Sequence, residues 1–304
     1  MMSHLISVVT CSHNPNPQYF KRVLDALRTQ SLPFVQWEYL IVDNSSHAPI
    51  VDRFDLSWHP YARIIREDKL GLTPARLKGI SEANGSLLVF VDDDNVLDSD
   101  YLVQVLRSAE KYPHLGAWSG QCRGEFEEIP SEWIYRYFGN LVIREFSGDI
   151  WSNLPRLAET MPCGAGMVIS RPVAQRYLEC HLEGHRTFQL DRAGDSLLSG
   201  GDNDLAACAC EIGLSVGLIA SLKLTHLIPP ERLTAEYQAR LAEGIHYSSV
   251  ILDSYYGIPA AGRSIFGMLI DALRVMRLPS PHRQIQAAAY RGRNRAITQL
   301  KSSV

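Results

Sequence analysis

The sequence has no long apolar run, no Cys-x-x-Cys pair and little net charge. No uninterrupted apolar stretch among its 304 residues approaches the roughly 20 residues of a helix that spans a bilayer, which argues against a membrane-spanning protein. No signal peptide precedes the six cysteines, so we expect reduced thiols in the cytoplasm. The net charge of −3 argues neither for nor against a nucleic-acid partner, and we expect none.

The charge is unevenly distributed along the chain. Residues 257–304 contain eight basic residues and one acid, Asp271, so this segment carries +7 and the remainder −10. We predict a body of residues 1–256 and a basic, amphipathic helical tail of residues 257–304, with its helical pattern over Arg263–Arg277. A basic tail on an acidic body indicates an anionic partner such as a membrane surface. A solvated helical face or a contact in an oligomer is the alternative interpretation.

Strand-like and helical patterns alternate in the first half of the chain. The predicted strands are Leu5–Thr10, Trp37–Val42, Ala62–Ile65 and Leu87–Val91, and the predicted helices are Tyr19–Arg28, Pro74–Ala83 and Tyr101–Lys111. This alternation predicts an α/β fold with a mostly parallel central sheet flanked by helices. In the less regular second half, we predict a strand at Val216–Leu224 and a helix at Thr234–Ala242.

Three consecutive aspartates, residues 92–94, directly follow the most apolar predicted strand. This is the carboxyl end of the strand, where open α/β sheets bind their ligands. Crowded carboxylates repel one another, and hard ions such as Mg²⁺ and Mn²⁺ take oxygen ligands and bridge to phosphates. Polar clusters at Ser12–Asn14 and Asp43–Asn44 also follow strands, so we expect all three clusters to meet in one crevice. An acidic turn or a helix cap is the alternative.

Seven motifs follow one another between Leu5 and Tyr237. They are ISVVTCSHN, EYLIVDNSS, KLGLTPARLKGISEANG, VDDDN, PCGAGMVISR, GGDNDL and THLIPPERL. In this order they resemble the motifs of the family 2 glycosyltransferases, which have the GT-A fold, with VDDDN at the place of the Asp-x-Asp motif. The resemblance implies a GT-A, Rossmann-like sheet in the body of the chain, followed here by the helical C-terminal appendage.

The resemblance also implies a set of nucleotide-binding residues. These are Ser12, Asn14, Asp43, Arg76, Asp92 and Arg232. Asp43 would accept a hydrogen bond from a uracil-like ring N–H, or else would only close an Asx turn. Arg76 would reach phosphate or base, or would pair with a neighbouring acid. Arg232 would clamp the diphosphate from a mobile loop, or would be a surface arginine.

A divalent cation, Mn²⁺ or Mg²⁺, is implied at the Asp-x-Asp motif. Asp94 would bind it directly, while Asp92 would bind through water or lie nearer the ribose. His226, after the last predicted strand, would complete the coordination or would be structural.

A carboxylate at the start of the late helix is implied as the general base that takes the proton of the acceptor hydroxyl. The Glu-Asp pair usual at this place is Gly201-Asp202 here, which puts Asp202 at the base position and leaves Asp204 as the alternative. A helix cap is the other interpretation of both residues.

The resemblance therefore implies an enzyme: a metal-dependent inverting glycosyltransferase that uses a nucleotide-sugar donor, a UDP-sugar favoured. The acceptor would be a glycan or a lipid-linked hydroxyl in bacterial polysaccharide synthesis, at the inner face of the plasma membrane. A nucleotidyltransferase of similar fold is one rival, but the loop SHNPNPQ after the first strand is not the glycine-rich, basic loop expected there. A catalytically inactive scaffold that binds a nucleotide or a sugar is the other.

Overall fold

The computed structural model describes residues 4–259 and 265–302. The strands are β1 (Ile6–Ser12), β2 (Trp37–Asn44), β3 (Ala62–Glu67), β4 (Leu87–Phe90), β5 (Asn95–Leu97), β6 (Leu115–Phe126), β7 (Ile150–Ser152), β8 (Met167–Ser170) and β9 (Ser215–Ile228). The α-helices are α1 (Pro17–Arg28), α2 (Leu72–Glu82), α3 (Tyr101–Lys111), α4 (Arg171–Leu182), α5 (Gly201–Glu211), α6 (Ala235–Tyr255), α7 (Ile265–Met276) and α8 (His282–Ser302). Within the described ranges, no helix has both the length and the apolar character to cross a membrane.

The described strands form one mixed sheet in the order β3-β2-β1-β4-β8-β6-β9-β5, with β7 also paired to β9. Strands β3, β2, β1 and β4 are parallel neighbours. The pairs β4–β8, β8–β6, β9–β5 and β9–β7 are antiparallel. The predicted α/β fold with its Rossmann-like sheet is confirmed, and the structure adds an antiparallel half that the alternating pattern did not predict.

Local sequence accounts for the helices that cover the parallel strands. In α1, Phe20, Val23, Leu24 and Leu27 recur at helical spacing and are buried, which turns the apolar stripe of the helix toward the sheet. The helix begins where Asn16 accepts a hydrogen bond from the backbone N–H of Gln18 at 2.9 Å, an N-cap that satisfies a donor left over by the first turn. Strands β1 and β2 are buried on both faces, as their continuous apolar runs in the sequence predict, whereas the outer strand β3 is mostly half-buried.

The chain divides into two compact units. The first unit consists of Met1–Glu125, Val142–Thr187 and Asp202–Ile228, and contains the sheet. The second unit consists of Phe126–Leu141, Phe188–Gly201 and Pro229–Val304. In this second unit α6 packs along α8, where the small residues Ala288 and Ala289 are buried beside Ala239 and Ala242.

The tail is helical in its described part, as the sequence predicts. The predicted helix Arg263–Arg277 begins outside the described residues, and α7 starts at Ile265. The compact units do not divide at residue 256, because α6 and α8 belong to the same unit. That residues 257–304 function as a separate appendage stays a prediction.

Candidate active site

The ends of β1 and β2 carry the first polar cluster. These strands pair in parallel with Ser12 opposite Asp43, so both strands stop at the same edge of the sheet. Asn14 follows β1 with a backbone φ of 51°, a left-handed conformation that asparagine tolerates better than most residues. Its backbone N–H donates to Ser46 Oγ at 3.0 Å and its Oδ1 accepts from the His47 N–H at 2.9 Å. Asn14 thereby joins the loop after β1 to the loop after β2.

The carboxylate of Asp43 is buried and bound by its own loop. It accepts hydrogen bonds from the backbone N–H groups of Ser46 at 3.0 Å and Ile50 at 3.1 Å, and from the Arg66 guanidinium at 3.1 Å. Burial alone would raise the pKa of Asp43, but these hydrogen bonds and the Arg66 charge outweigh it and hold the pKa below its ordinary value. The backbone hydrogen bonds to Asp43 are those of an Asx turn, the alternative interpretation of this residue. A contact between Asp43 and a nucleotide base stays a prediction.

The three aspartates after β4 lie beside the end of β1. The Val91 N–H donates to Val9 O at 3.0 Å, which continues the β1–β4 pairing up to the aspartates. Ser12 Oγ donates a short hydrogen bond to Asp93 Oδ2. Asp94 is buried at the start of β5, while Asp92 and Asp93 are half-buried. The predicted convergence of the first and third polar clusters is therefore present in the structure.

Asp94 and His226 lie side by side because β5 pairs antiparallel with β9. In that register Asn95 is opposite His226, and the Leu227 N–H donates to Asp94 O at 2.9 Å. This pairing places His226 Nε2 3.4 Å from Asp94 Oδ2. The backbone thus fixes a carboxylate oxygen and an imidazole nitrogen at one point of the sheet edge.

This donor set suits a hard divalent cation in its chemistry, because it combines carboxylate oxygens with an imidazole nitrogen. Asn95 Oδ1 is buried there without a hydrogen-bond partner, while Asn95 Nδ2 donates to Asp94 Oδ1 at 2.9 Å. Among the described residues, however, Asp92, Asp94 and His226 do not form a group of three with ligand atoms within 4.8 Å of one another. Asp94 and His226 therefore fit a cation directly, whereas Asp92 fits one only through water or after its side chain turns.

The start of α5 holds the candidate base. Asp202 Oδ2 accepts from the Gly164 N–H at 2.7 Å, and Asp202 Oδ1 accepts from the Asn203 N–H at 2.9 Å. Asn203 Nδ2 donates to Pro162 O at 3.1 Å, so the first turn of α5 is joined twice to the loop before β8. Asp202 is only half-buried, in contrast to the fully buried residues that follow it in α5.

Asp204, the alternative base, is in a different environment. Its carboxylate receives Arg186 Nε at 2.8 Å, and the two side chains are 2% and 6% exposed. A buried carboxylate held by a guanidinium is a poor proton acceptor, because the ion pair favours its charged form and burial keeps substrate away. The structure therefore favours Asp202 over Asp204 for the predicted role.

Arg76 projects from α2 toward the same loop. It is 4% exposed, and a Cβ built at Gly164 would lie 3.1 Å from its guanidinium NH2 and 3.4 Å from the Asp202 carboxylate oxygen Oδ2. Because Gly164 has no side chain, the loop backbone approaches both the Arg76 guanidinium and the Asp202 carboxylate. Arg232, by contrast, lies on the short 3-10 helix Pro230–Leu233 of the second unit, where its carbonyl accepts from Gln238 Nε2 at 2.8 Å. Its predicted contact with a diphosphate stays a prediction.

Two polar residues near these loops were not predicted from the sequence. A Cβ built at Gly201 would overlap the buried carboxylate of Asp191, so a carboxylate from elsewhere in the chain occupies the space where the usual glutamate side chain would begin. The glycine at that motif position was the available indication. Arg144 contacts the loop before β8, and it stands in no motif that would have drawn attention to it.

The comparisons with known proteins show the family of the chain. Residues 7–178, more than half of the chain, match the model of glycosyl transferase family 2, so the chain belongs to this family. It is 28% identical over 111 residues to the putative glycosyltransferase EpsH of Bacillus subtilis, a match that covers 36% of this chain and 31% of that protein. It is 31% identical over 113 residues to the uncharacterized protein y4gI of Sinorhizobium fredii, covering 36% of this chain and 12% of y4gI. The matched parts thus span about a third or less of these curated relatives.

Solved structures show the same fold. The mannosyltransferase PcManGT from Pyrobaculum calidifontis, solved with GDP-Man and Mn²⁺, superposes with a TM-score of 0.59 at 16% identity, covering 97% of this chain and 87% of that one. TarS 1-349 of S. aureus, solved with UDP-GlcNAc, superposes with a TM-score of 0.51 at 11% identity, covering 98% and 92%. The predicted membership of family 2 and the GT-A fold are confirmed.

Proposed function

We propose that this chain is a metal-dependent, inverting glycosyltransferase that moves a sugar from a nucleotide-sugar to a hydroxyl of a glycan or lipid-linked acceptor. The observation that carries the proposal is the 3.4 Å approach of Asp94 Oδ2 and His226 Nε2 at the carboxyl edge of the sheet. Membership of family 2 supports the reaction class. Nucleotide-sugars in the PcManGT and TarS structures support the donor class, and we favour a UDP-sugar.

Asp94 and His226 would hold Mn²⁺ or Mg²⁺, with Asp92 reaching the ion through water or lying beside the ribose. The chemistry that such an ion supplies is compensation of the negative charge on the departing nucleoside diphosphate. The Mn²⁺ in the PcManGT structure supports metal use in the family. Ser12 orients Asp93 in the turn that carries both metal-site aspartates.

The remaining nucleotide contacts come from the neighbouring strand ends. Asn14 holds the β1 and β2 loops together, so we propose that it shapes the pocket for the base. Asp43, which holds the loop after β2, would also contribute to the pocket for the base. Arg76, buried beside Gly164, would present a guanidinium to the diphosphate, and Arg232 would approach it from the segment after β9.

Asp202 would act as the general base. The N–H groups of Gly164 and Asn203 fix its two carboxylate oxygens, which leaves the remaining lone pairs for the acceptor hydroxyl. As the hydroxyl oxygen attacks the anomeric carbon, Asp202 takes its proton and the nucleoside diphosphate leaves from the opposite face. Direct displacement of this kind inverts the anomeric configuration.

The test is release of nucleoside diphosphate from a panel of UDP-, GDP- and TDP-sugars, with and without Mn²⁺, alongside the thermal shift that each donor produces. The proposal predicts that one donor class gives both a Mn²⁺-dependent thermal shift and Mn²⁺-dependent turnover. A donor that binds without any turnover, with acceptor glycans present, would instead indicate a binding scaffold. Turnover that is unaffected by EDTA would contradict metal dependence.

We further propose that the tail brings the enzyme to an anionic membrane surface, at the inner face of the plasma membrane. In α7, Phe266, Ile270, Leu273 and Met276 recur at helical spacing and are between 50% and 79% exposed. Exposed Arg274 and Arg277 accompany this apolar stripe. An exposed apolar stripe with flanking arginines is typical of helices that lie in the interface of an anionic bilayer.

Sedimentation with vesicles tests this contact. The full chain should bind vesicles containing phosphatidylglycerol more strongly than vesicles of phosphatidylcholine alone, and added salt should weaken binding. Changing Phe266, Ile270 and Leu273 to serine should remove the binding, whereas Leu182→Ser, at an 86% exposed leucine of α4, should retain it. Equal binding by both variants would contradict the proposed contact while leaving the proposed reaction untouched.

A further inference from the structure

The loop before β8 is anchored by a network that includes no residue assigned above. Arg144 NH1 donates to Met161 O at 3.1 Å, and Arg144 NH2 donates to Ser119 Oγ at 2.6 Å and to Cys163 Sγ at 3.1 Å. Ser119 Oγ also accepts from the Cys163 N–H at 3.3 Å. The next residue of this loop is Gly164, whose N–H donates to Asp202.

Both anchors are themselves firmly placed. Ser119 is fully buried within β6, a strand of the central sheet. The backbone of Arg144 exchanges two hydrogen bonds with Cys122 of the same strand, at 2.9 and 3.0 Å. Burial raises the pKa of the Cys163 thiol, so its sulfur is a neutral acceptor for Arg144 rather than a competing anion. The loop therefore connects a rigid strand on one side to the start of α5 on the other.

One nitrogen of the Arg144 guanidinium stays outside the network. Arg144 Nε is buried without a hydrogen-bond partner, although unsatisfied buried donors are rare in proteins. In this orientation of the guanidinium, both terminal nitrogens donate hydrogen bonds to the loop, to Met161 and Cys163, whereas Nε does not. This arrangement favours a fixed loop position over complete satisfaction of the arginine.

We propose that Ser119 and Arg144 are positioning residues that fix residues 161–164, so that the Gly164 N–H holds the Asp202 carboxylate in its reactive orientation. This inference rests on the proposed function, in which Asp202 is the general base, and extends it to two residues that act on Asp202 through the loop. Small displacements of a base from its productive geometry reduce turnover strongly, so the loop anchors should act on the rate rather than on donor binding.

The experiment compares two buried serines of the same fold. Ser119→Ala removes the oxygen that accepts from Arg144 and Cys163, and should lower kcat for sugar transfer about tenfold while KM for the donor stays unchanged. Ser108→Ala is the matched control, because Ser108 Oγ only accepts from Trp118 Nε1 at 3.0 Å and donates to Val105 O. Ser108→Ala should lower Tm about as much as Ser119→Ala does, and should leave kcat unchanged.

A double-mutant cycle with Asp202→Asn separates this inference from the proposed function. If Ser119 acts through Asp202, Ser119→Ala should have no further effect on kcat in the Asp202→Asn background. If the effects of Ser119→Ala and Asp202→Asn on kcat multiply in the double variant, the inference is overturned. It is also overturned if Ser108→Ala lowers kcat as much as Ser119→Ala does. Full transfer activity in Asp202→Asn alone would instead overturn the assignment of the base. Arg144→Gln should reproduce the Ser119→Ala result, and Ser119→Ala carries the test where the arginine variant fails to fold.

Discussion

The first unit has candidate site aspartates at two places, the sheet edge and the start of α5, and the surroundings of these aspartates differ. At the sheet edge, Asp94 adjoins the imidazole of His226 and the amide of Asn95. At the start of α5, Asp204 is paired with Arg186, and Asp202 is held by two backbone N–H groups. The arginine beside Asp204 is the protein's own counterion, whereas Asp94 adjoins an imidazole and an amide, neither of which carries a fixed positive charge.

The difference teaches that one residue type occupies three distinct environments within the first unit. A carboxylate beside a histidine at a sheet edge suits a cation, a half-exposed carboxylate oriented by amides suits proton transfer, and a buried carboxylate on a guanidinium stabilises structure. Sequence spacing alone does not separate Asp202 from Asp204, because both fall in the first turn of α5. Their partners, which come from distant parts of the chain, separate them.

The largest effect is expected at the sheet edge. Asp94→Ala should abolish Mn²⁺-dependent turnover, since it removes the carboxylate that adjoins His226, and should leave the far-ultraviolet circular dichroism unchanged. Asp100→Asn is the matched control, because Asp100 is exposed and its carboxylate accepts a hydrogen bond from the half-buried Gln104 side chain at 2.8 Å. Wild-type turnover in Asp94→Ala would remove this residue from the mechanism.

The next effect is expected at the start of α5. Asp202→Asn keeps the shape of the side chain but removes its basicity, so transfer should fall by about 10² or more while the donor dissociation constant changes little. Kinetics of transfer and isothermal titration with the donor check the two quantities on the same preparation. Parallel losses of transfer and donor binding would indicate that Asp202 only caps the helix.

Asp204→Asn sharpens the contrast, because it should reduce stability more than turnover. Breaking a buried ion pair by removing one partner costs about 3–5 kcal/mol. Arg186 keeps Glu211 at 2.6 Å, so we expect the lower end, about 3 kcal/mol. Denaturant unfolding measures this free energy. A stable Asp204→Asn protein without activity would reverse the roles given to the two aspartates.

The smallest effect is expected at Asp43 and depends on pH. The pKa of Asp43 in the folded state lies below its ordinary value, so its stabilisation is present above the unfolded pKa of about 3.9 and is lost as pH falls through the folded value. Asp43→Asn should therefore cost about 1–2 kcal/mol at pH 7 and progressively less below pH 4. Thermal unfolding of both proteins across this range checks the prediction. A cost that does not vary with pH would contradict the role of the ionised carboxylate.

Sequence reasoning reached the parts of the molecule that local pattern controls. Helix α3 was predicted with its observed bounds, Tyr101–Lys111, because apolar residues recur there at helical spacing. It missed β6, in which glycines and charged residues interrupt any apolar run, although this strand carries Ser119. Motif order indicated the strand-end aspartates and Asp202, yet the register that brings His226 to Asp94 arises from β5–β9 pairing between distant segments. The contacts of Arg144 with the loop before β8 are tertiary and no local pattern encodes them, while for Asp191 only the glycine at position 201 gave an indication.

The central claim is that Asp94 and His226 together hold a divalent cation where a nucleoside diphosphate departs. Electron paramagnetic resonance of Mn²⁺ titrated into the full chain with UDP present measures this directly, without reliance on turnover. We predict one tightly bound Mn²⁺ in the wild-type and Asp100→Asn proteins, and strongly weakened binding in Asp94→Ala and His226→Ala. Equal Mn²⁺ binding by all four proteins would contradict the claim.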